Sequence, residues 1–129
     1  MLLTKRNEYA LQAMILLARQ EEGELLPASA LAKRLKTTPA FMSKIAQRLT
    51  GAGLVRSRKG RSGGLFLGRP ADKILVKHIF SAVDGALSVS ACMNEGRCQH
   101  YVCPIYPVLT RLQKDLDNRL NSAKLSTFV

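Results

Sequence analysis

The stretch KTTPAFMSKIAQRLTGAGLVRSRKGRSGGLFL, residues 36–67, decides the fold class of this chain. Thr38 is a favourable N-cap and Pro39 fits the first helical position, so we expect a helix from Pro39 to Leu49. Its apolar residues recur at helical spacing and form one stripe: Met42, Ile45, Ala46 and Leu49. The opposite face carries small, polar or basic side chains: Ala40, Ser43, Lys44, Gln47 and Arg48. This pattern is typical of the second helix of a helix-turn-helix motif, which enters the major groove of DNA.

The second half of the stretch predicts a β-hairpin. LVRSRK and LFLGRP have the character of two strands, and the turn GRSGG between them is rich in glycine. Lys59 and Arg61 place cations at the tip of this hairpin. A basic hairpin directly after a recognition helix is typical of a wing, whose side chains contact phosphates or reach the minor groove. A plain solvent-exposed hairpin, the alternative, does not require this run of cations.

Two more helices are predicted before this stretch. Residues 9–18, YALQAMILLA, are apolar on nearly every side, which predicts a helix over about residues 5–20 that is buried all round. Gly23 and Pro27 follow as helix breakers. The segment ASALAKRL after Pro27 then predicts a second helix with three buried residues: Leu31, Ala32 and Leu35.

The charge of the chain is unevenly distributed. Twenty Lys and Arg residues oppose nine Asp and Glu residues, and no acidic residue occurs between Glu24 and Asp72. Ordinary protein surfaces intersperse both signs, so this one-signed region indicates a polyanionic partner, double-stranded DNA above all. An anionic membrane surface is the weaker alternative, because the region is not one basic amphipathic helix.

Length and composition fit one globular domain with an appended helix, at 129 residues, 47% hydrophobic and 22% charged. No stretch approaches the roughly 20 apolar residues that a membrane span needs, and the first residues lack the pattern of a secretory signal. We therefore expect a cytoplasmic protein without membrane partners. Disulfides are disfavoured in that compartment, and an odd number of cysteines also argues against a disulfide framework.

All three cysteines lie in one segment, CMNEGRCQHYVC, residues 92–103. Cys92, Cys98 and Cys103 are close enough in sequence for their thiolates to converge on one inorganic centre. By spacing alone, an iron–sulfur cluster and a zinc ion completed by an imidazole or a carboxylate fit comparably well. Free buried cysteines are the third interpretation, although such residues would be scattered along the chain.

A long amphipathic helix is predicted after Pro104. Its apolar residues recur every three or four positions: Ile105, Val108, Leu109, Leu112, Leu116 and Leu120. The stripe can pack on its own domain, but the helix is longer than that domain needs. Pairing with the same helix of a second chain is therefore expected, and the resulting homodimer would present two recognition helices to two half-sites.

Over essentially its whole length the chain resembles the Rrf2 family of bacterial winged-helix regulators. The most specific matches are Gly-Leu-Val at 53–55 with the glycine-containing wing, Ala-Val-Asp-Gly at 82–85, and the clustered cysteines beyond them. Two departures bear on the DNA sequence that is recognised. Arg61 and Ser62 stand in a wing tip that is usually richer in glycine and proline, and Ser43 stands where an acidic residue is often found.

The resemblance implies that the three cysteines hold an iron–sulfur cluster, either [2Fe-2S] or [4Fe-4S]. Some members take the fourth ligand from a histidine at the position of Tyr106, which is a poor ligand. Others take it from a carboxylate near the start of the first helix of the partner subunit, which matches Glu8. His100 is the alternative ligand, and Glu8 can also be explained as a carboxylate favoured by the helix dipole. A ligand that is not a thiolate suits a sensor, because it leaves one iron more easily lost or attacked.

These observations predict a mainly α fold with a small β-hairpin, divided into three parts. Residues 1–84 form a winged helix-turn-helix domain, residues 85–104 a cysteine-containing cluster loop, and residues 105–129 a dimerisation helix with a C-terminal turn. The predicted DNA contacts lie on the third helix and the wing: Thr38, Ala40, Ser43, Lys44, Arg48, Arg58, Lys59 and Arg61.

The predicted function is a DNA-binding transcriptional regulator, a repressor, that senses iron, redox state or nitric oxide through the cluster. The alternative is a cluster-free winged-helix regulator that is controlled by a protein partner or carries structural zinc. An enzyme, such as a small electron-transfer protein, is disfavoured because the sequence has no phosphate loop, nucleophile motif or histidine–carboxylate pair.

Overall fold

The computed structural model of the chain describes residues 3–94 and 103–129. These residues form a short two-stranded antiparallel hairpin, β1 (Val55–Arg58) and β2 (Gly64–Leu67), in which Val55 lies opposite Leu67. They also form six helices: α1 (Lys5–Ala18), α2 (Ala28–Arg34), α3 (Pro39–Gly51), α4 (Val76–Asp84), α5 (Ala91–Asn94) and α6 (Tyr106–Ser122). Two 3-10 turns follow β2 and α6: Ala71–Lys73 and Leu125–Phe128. The predicted fold class, mainly α with a small hairpin, is confirmed.

The core lies where α1, α3 and α4 pack against one another, with α2 on the side of α3 and β2 against α1. Its fully buried side chains come from all three helices: Met14, Met42, Ile45, Leu49, Ile79 and Val83. The prediction that α1 is buried all round is wrong for the single chain. Only one face of α1 packs on the other two helices, and the side chains beside that face stay half-buried at the edge of the core: Leu11, Ile15 and Leu16.

The helix-turn-helix is present, and α3 begins at the predicted Pro39 but ends at Gly51, two residues after the predicted Leu49. Lys36 turns the chain between α2 and α3 with a left-handed backbone (φ 57°), and the Thr37 amide donates to the Ala32 carbonyl at 2.9 Å. Thr38 caps α3, because its hydroxyl oxygen accepts from the Phe41 amide at 3.2 Å, and Pro39 takes the first helical position. Local sequence signals therefore fix the start of the recognition helix.

The hairpin is joined to the domain by backbone contacts at its base. Leu26, in the connection between α1 and α2, exchanges two hydrogen bonds with Leu65 of β2, at 3.0 and 2.9 Å. Gly68, just after β2, lies so close to the backbone that leads into β1 that a Cβ atom there would be 2.5 Å from the Gly53 carbonyl oxygen. The base of the wing is thus packed backbone against backbone.

The chain returns to this core after α6. The Leu125 side chain is fully buried, and its amide donates to the Ile74 carbonyl at 2.8 Å. The Val76 amide donates in turn to the Ala123 carbonyl at 2.9 Å. The residues that follow the long helix therefore pack in the same core as α1, α3 and α4.

The apolar stripe of α6 is divided along its length. Leu120 packs against the core. At the other end, Ile105 and Val108 are each 59% exposed and Leu112 is 50% exposed. Leu109 between them is half-buried, so the described residues of the same chain cover the amino-terminal half of the stripe only in part. None of the described helices combines the length and the hydrophobicity that crossing a membrane requires.

Alanine at Gly68 tests the close packing at the base of the wing. We expect Gly68→Ala to reduce the free energy of unfolding by about 1–3 kcal/mol, because the added methyl group meets backbone that has little room to move. Gly51→Ala is the matched control: nothing lies within 4 Å of its added Cβ, so the same substitution there should be neutral or stabilising by up to about 1 kcal/mol. Urea unfolding measures the free energy of unfolding of both variants. An equal change in the two would contradict the close packing at Gly68.

Protonation of His78 should weaken the start of α4. Its Nδ1 accepts from the Leu75 amide at 3.2 Å, and burial, then the charges of Lys77 and Arg69, lower the pKa of His78 below its ordinary 6.5. The imidazole of His78 therefore binds a proton more tightly in the unfolded chain than in the folded one. The stabilisation by the neutral imidazole is complete above about pH 6.5 and is lost as the pH falls through the folded pKa. Unfolding at about pH 7.5 and pH 5 should show a larger loss of stability for the native chain than for His78→Gln.

Candidate DNA-binding surface and cysteine loop

The recognition helix α3 presents a solvent-exposed face of small and polar residues. The stripe that contains Met42 and Ile45 is buried against the core, which turns the other side of the helix outward. The predicted base-contacting residues are exposed on that side: Thr38, Ala40, Ser43 and Lys44. Short side chains on such a helix allow its backbone to approach the base edges closely.

The wing adds a row of exposed cations beside this helix. Val55 and Leu65 are buried and anchor the hairpin, whereas its cations all face solvent: Arg56, Arg58, Lys59 and Arg61. Over residues 3–94 and 103–129, one ion pair is present, between Arg6 and Asp84. The cations of the wing and of Lys44 are thus not neutralised by any described acidic side chain, which suits a phosphate backbone.

Arg48, which was predicted to contact DNA, also makes an internal contact. Its guanidinium donates to the carbonyl oxygen of Val83, near the end of α4. The next residue, Asp84, accepts from the Thr4 hydroxyl and pairs with Arg6 at 2.8 Å. Sequence reasoning missed this group of contacts, and the acidic residue before Gly85 is the one local signal for it.

The segment between α4 and α5 is held by α6. The Val89 amide donates to the Gln113 side-chain oxygen at 2.9 Å, and the Gln113 nitrogen donates to the Leu87 carbonyl at 3.1 Å. The same nitrogen donates to Asp117 at 3.0 Å. One glutamine side chain thereby fixes two backbone positions of the segment that leads to the first cysteine.

The two cysteines that the structure describes are free and half-buried. Cys92 lies in α5, where its sulfur is 3.1 Å from the Ser90 hydroxyl oxygen, and Cys103 lies shortly before α6. Cys98 and His100 lie outside the described residues. In the described part of the chain, no group of three or more metal-binding side chains occurs. Unpaired, partly accessible thiols are donors that fit an iron–sulfur cluster or zinc.

Glu8, the proposed fourth ligand, and Tyr106, at the position where some relatives have a histidine, both lie at the starts of long helices. Glu8 is exposed in the first turn of α1, where its amide donates to the Thr4 carbonyl at 3.1 Å. Tyr106 is half-buried at the first position of α6. The exposure of Glu8 leaves its carboxylate accessible to a second chain.

Known proteins of similar sequence are transcriptional regulators. Residues 3–129 match the Rrf2 family, described as an iron-dependent transcriptional regulator. A protein of Neisseria meningitidis named as an HTH-type transcriptional regulator is 28% identical over 100% of this chain and 88% of its own length. The HTH-type transcriptional regulator IscR of Escherichia coli is 33% identical over 77% of this chain and 61% of its own length.

Solved structures show the same fold. The global cysteine regulator CymR of B. subtilis superposes with a TM-score of 0.81 at 22% identity, covering 96% of this chain and 92% of that one. IscR of T. potens superposes with a TM-score of 0.73 at 23% identity, covering 96% of this chain and 82% of that one. Together with the family match, they confirm the predicted winged helix and the prediction that the protein is not an enzyme. The chain belongs to the Rrf2 family of DNA-binding, winged-helix transcriptional regulators.

Proposed function

We propose that this protein is a cytoplasmic, homodimeric repressor whose binding to double-stranded DNA is controlled by an iron–sulfur cluster in the cysteine loop. The observation that carries the proposal concerns residues 85–94 of that loop, which directly follow the DNA-reading domain and are bonded to α6 through Gln113. The family description as iron-dependent supports the same chemistry. The three parts of the protein are then residues 1–84 for DNA, 85–104 for the cluster, and 105–129 for dimerisation.

The DNA contacts follow from exposure and charge. Thr38, Ala40, Ser43 and Lys44 would face base edges in the major groove, because they occupy the outward side of α3. The cations of the wing would contact phosphates or the minor groove: Arg58, Lys59 and Arg61. Arg48 is exposed on the same helix. It would contact the phosphate backbone of the DNA while it also keeps its hydrogen bond to the Val83 carbonyl.

Dimerisation would cover the exposed half of the α6 stripe. Ile105, Val108 and Leu112 are large apolar side chains that are at least half exposed on one helix. Pairing with the same stripe of a second chain removes this surface from water, and two-fold symmetry then places two recognition helices on one side of the DNA.

Cys92, Cys98 and Cys103 would hold the cluster, and Glu8 of the partner subunit would supply the fourth ligand. When bound, the cluster supplies a redox-active centre whose loss or oxidation serves as the signal. The loop residues contribute the thiolates and their placement. The accessible carboxylate of Glu8 supports a ligand shared between subunits, because it is exposed in the first turn of its helix.

Neutralising the wing tip tests the DNA surface. The double variant Lys59→Ala with Arg61→Ala should bind all DNA sequences more weakly, and its log–log salt slope should fall by about 2 because two phosphate contacts are lost. Lys73→Ala with Lys124→Ala removes the same charge from exposed positions outside α3 and the wing, and should change the slope much less. Fluorescence anisotropy at several salt concentrations measures both; equal slopes would refute the wing contact.

Anaerobic reconstitution with iron and sulfide tests the cluster. The native chain should become coloured and contain both elements, Cys98→Ser should bind neither stably, and Glu8→Ala should lose its cluster faster in air. Glu24→Ala is the control, since it removes another exposed acidic side chain. A native chain that stays colourless, or that retains only zinc, would favour the cluster-free regulator instead.

A further inference from the structure

We propose that the contacts around Val83 and Asp84 position the recognition helix and transmit the state of the cysteine loop to it. These contacts, called the α4 junction below, are made by Thr4, Arg6, Arg48, Val83 and Asp84. The inference rests on the proposed function for its biological meaning, but the junction itself is a property of the protein without a cluster. Arg48 and Asp84 are positioning residues in it.

The first part of the junction joins α3 to the end of α4. The last carbonyl groups of a helix lack partners within the helix, and cations are favourable beside them. The Gly85 amide satisfies the Ser81 carbonyl at 3.0 Å, and the Arg48 guanidinium satisfies that of Val83. Arg48 therefore fixes the carboxyl-terminal turns of the recognition helix to the point where the cysteine-bearing segment begins.

The second part joins α1 to the same point. Asp84 is an acidic residue at the carboxyl end of a helix, where the helix dipole disfavours it. Its side chain is only 14% exposed, and it is compensated by the Arg6 guanidinium at 2.8 Å and by the Thr4 hydroxyl. Thr4 is also the N-cap of α1, because its oxygen accepts from the Asn7 amide at 3.2 Å. The carboxylate thus fixes the start of α1 against the end of α4.

The junction continues directly into the segment that leads to the first cysteine. Gly85 follows Asp84 with φ +78°, a conformation that favours glycine, and Cys92 comes eight positions after Asp84. Between them, Gln113 holds the backbone at Leu87 and Val89. The segment that leads to Cys92 is therefore attached at two places, the α4 junction and α6. A displacement of Cys92 would pull on both.

The Asp84 carboxylate connects the two segments that are proposed to supply cluster ligands. Its own chain supplies Cys92, eight residues further on, and α1 supplies Glu8, four residues after Thr4. Glu8 is proposed to bind the cluster of the other subunit. Within one subunit, Asp84 therefore lies between the cysteine loop that holds its own cluster and the carboxylate that binds the second cluster. A continuous set of contacts can carry energetic coupling between two sites, and such coupling acts reciprocally.

Hydrogen exchange of the full chain without a cluster tests the link. Arg48→Met keeps the aliphatic stem and removes the donors, and it should speed exchange of the Val89 amide about tenfold, although Val89 bonds to Gln113 and not to Arg48. Arg34→Met, an exposed arginine of α2, is the matched control and should leave Val89 unchanged. If Arg48→Met does not fold, Arg6→Gln removes only the half-exposed ion pair and should speed the same amide. Unchanged protection of Val89 in a folded variant overturns the proposal.

Thiol labelling provides the reciprocal measurement. Saturating DNA should change the maleimide labelling rate of Cys92 in the native apoprotein, about tenfold if the coupling is near 1.4 kcal/mol. Asp84→Asn should reduce that effect toward none, whereas Asp72→Asn, an exposed acidic residue in a 3-10 turn, should keep it. No effect of DNA on the native chain, or the same effect in Asp84→Asn, overturns the proposal. A colourless protein after reconstitution refutes the cluster alone and leaves both readouts valid.

Discussion

The burial of one stripe of α3 against α1 and α4 is the constraint on which the rest of the structure depends. Met42, Ile45 and Leu49 lie on that stripe and are almost fully removed from water. Because this face of the helix is buried, Ser43 and Lys44 on the opposite face stay exposed to solvent. No acidic residue lies near them in the sequence. The exposed face of α3, which is proposed to contact DNA, is thus a consequence of packing the core.

The hairpin that carries the basic surface is stabilised by packing at its base. A hairpin of two four-residue strands is marginally stable by itself. Here it is supported by two buried side chains, Val55 and Leu65, and by the backbone bonds between Leu65 and Leu26. These contacts occupy the base of the hairpin, so the cations near its tip take no part in holding the hairpin to the domain.

Local signals in the sequence predicted most of the fold. The cap at Thr38, the stripe of α3, the hairpin and the long helix α6 each depend on a few adjacent residues, and the structure confirms them. Two features could not be found in this way. Arg48 was placed on the correct helix face, but its partner Val83 is 35 residues away. Leu125 enters the core only because the chain doubles back after α6. Such contacts depend on tertiary packing, which periodicity does not encode.

The burial of Leu125 has a consequence for how a pair of subunits would read an operator. Leu125 and Ala123, just after α6, bond to the backbone beside α4, and Gln113 within α6 bonds to the backbone at Leu87 and Val89. In the proposed homodimer, these bonds would limit how far each DNA-reading domain turns relative to α6, so less orientational entropy would be lost on binding DNA. Such preorganisation favours strict discrimination of half-site spacing.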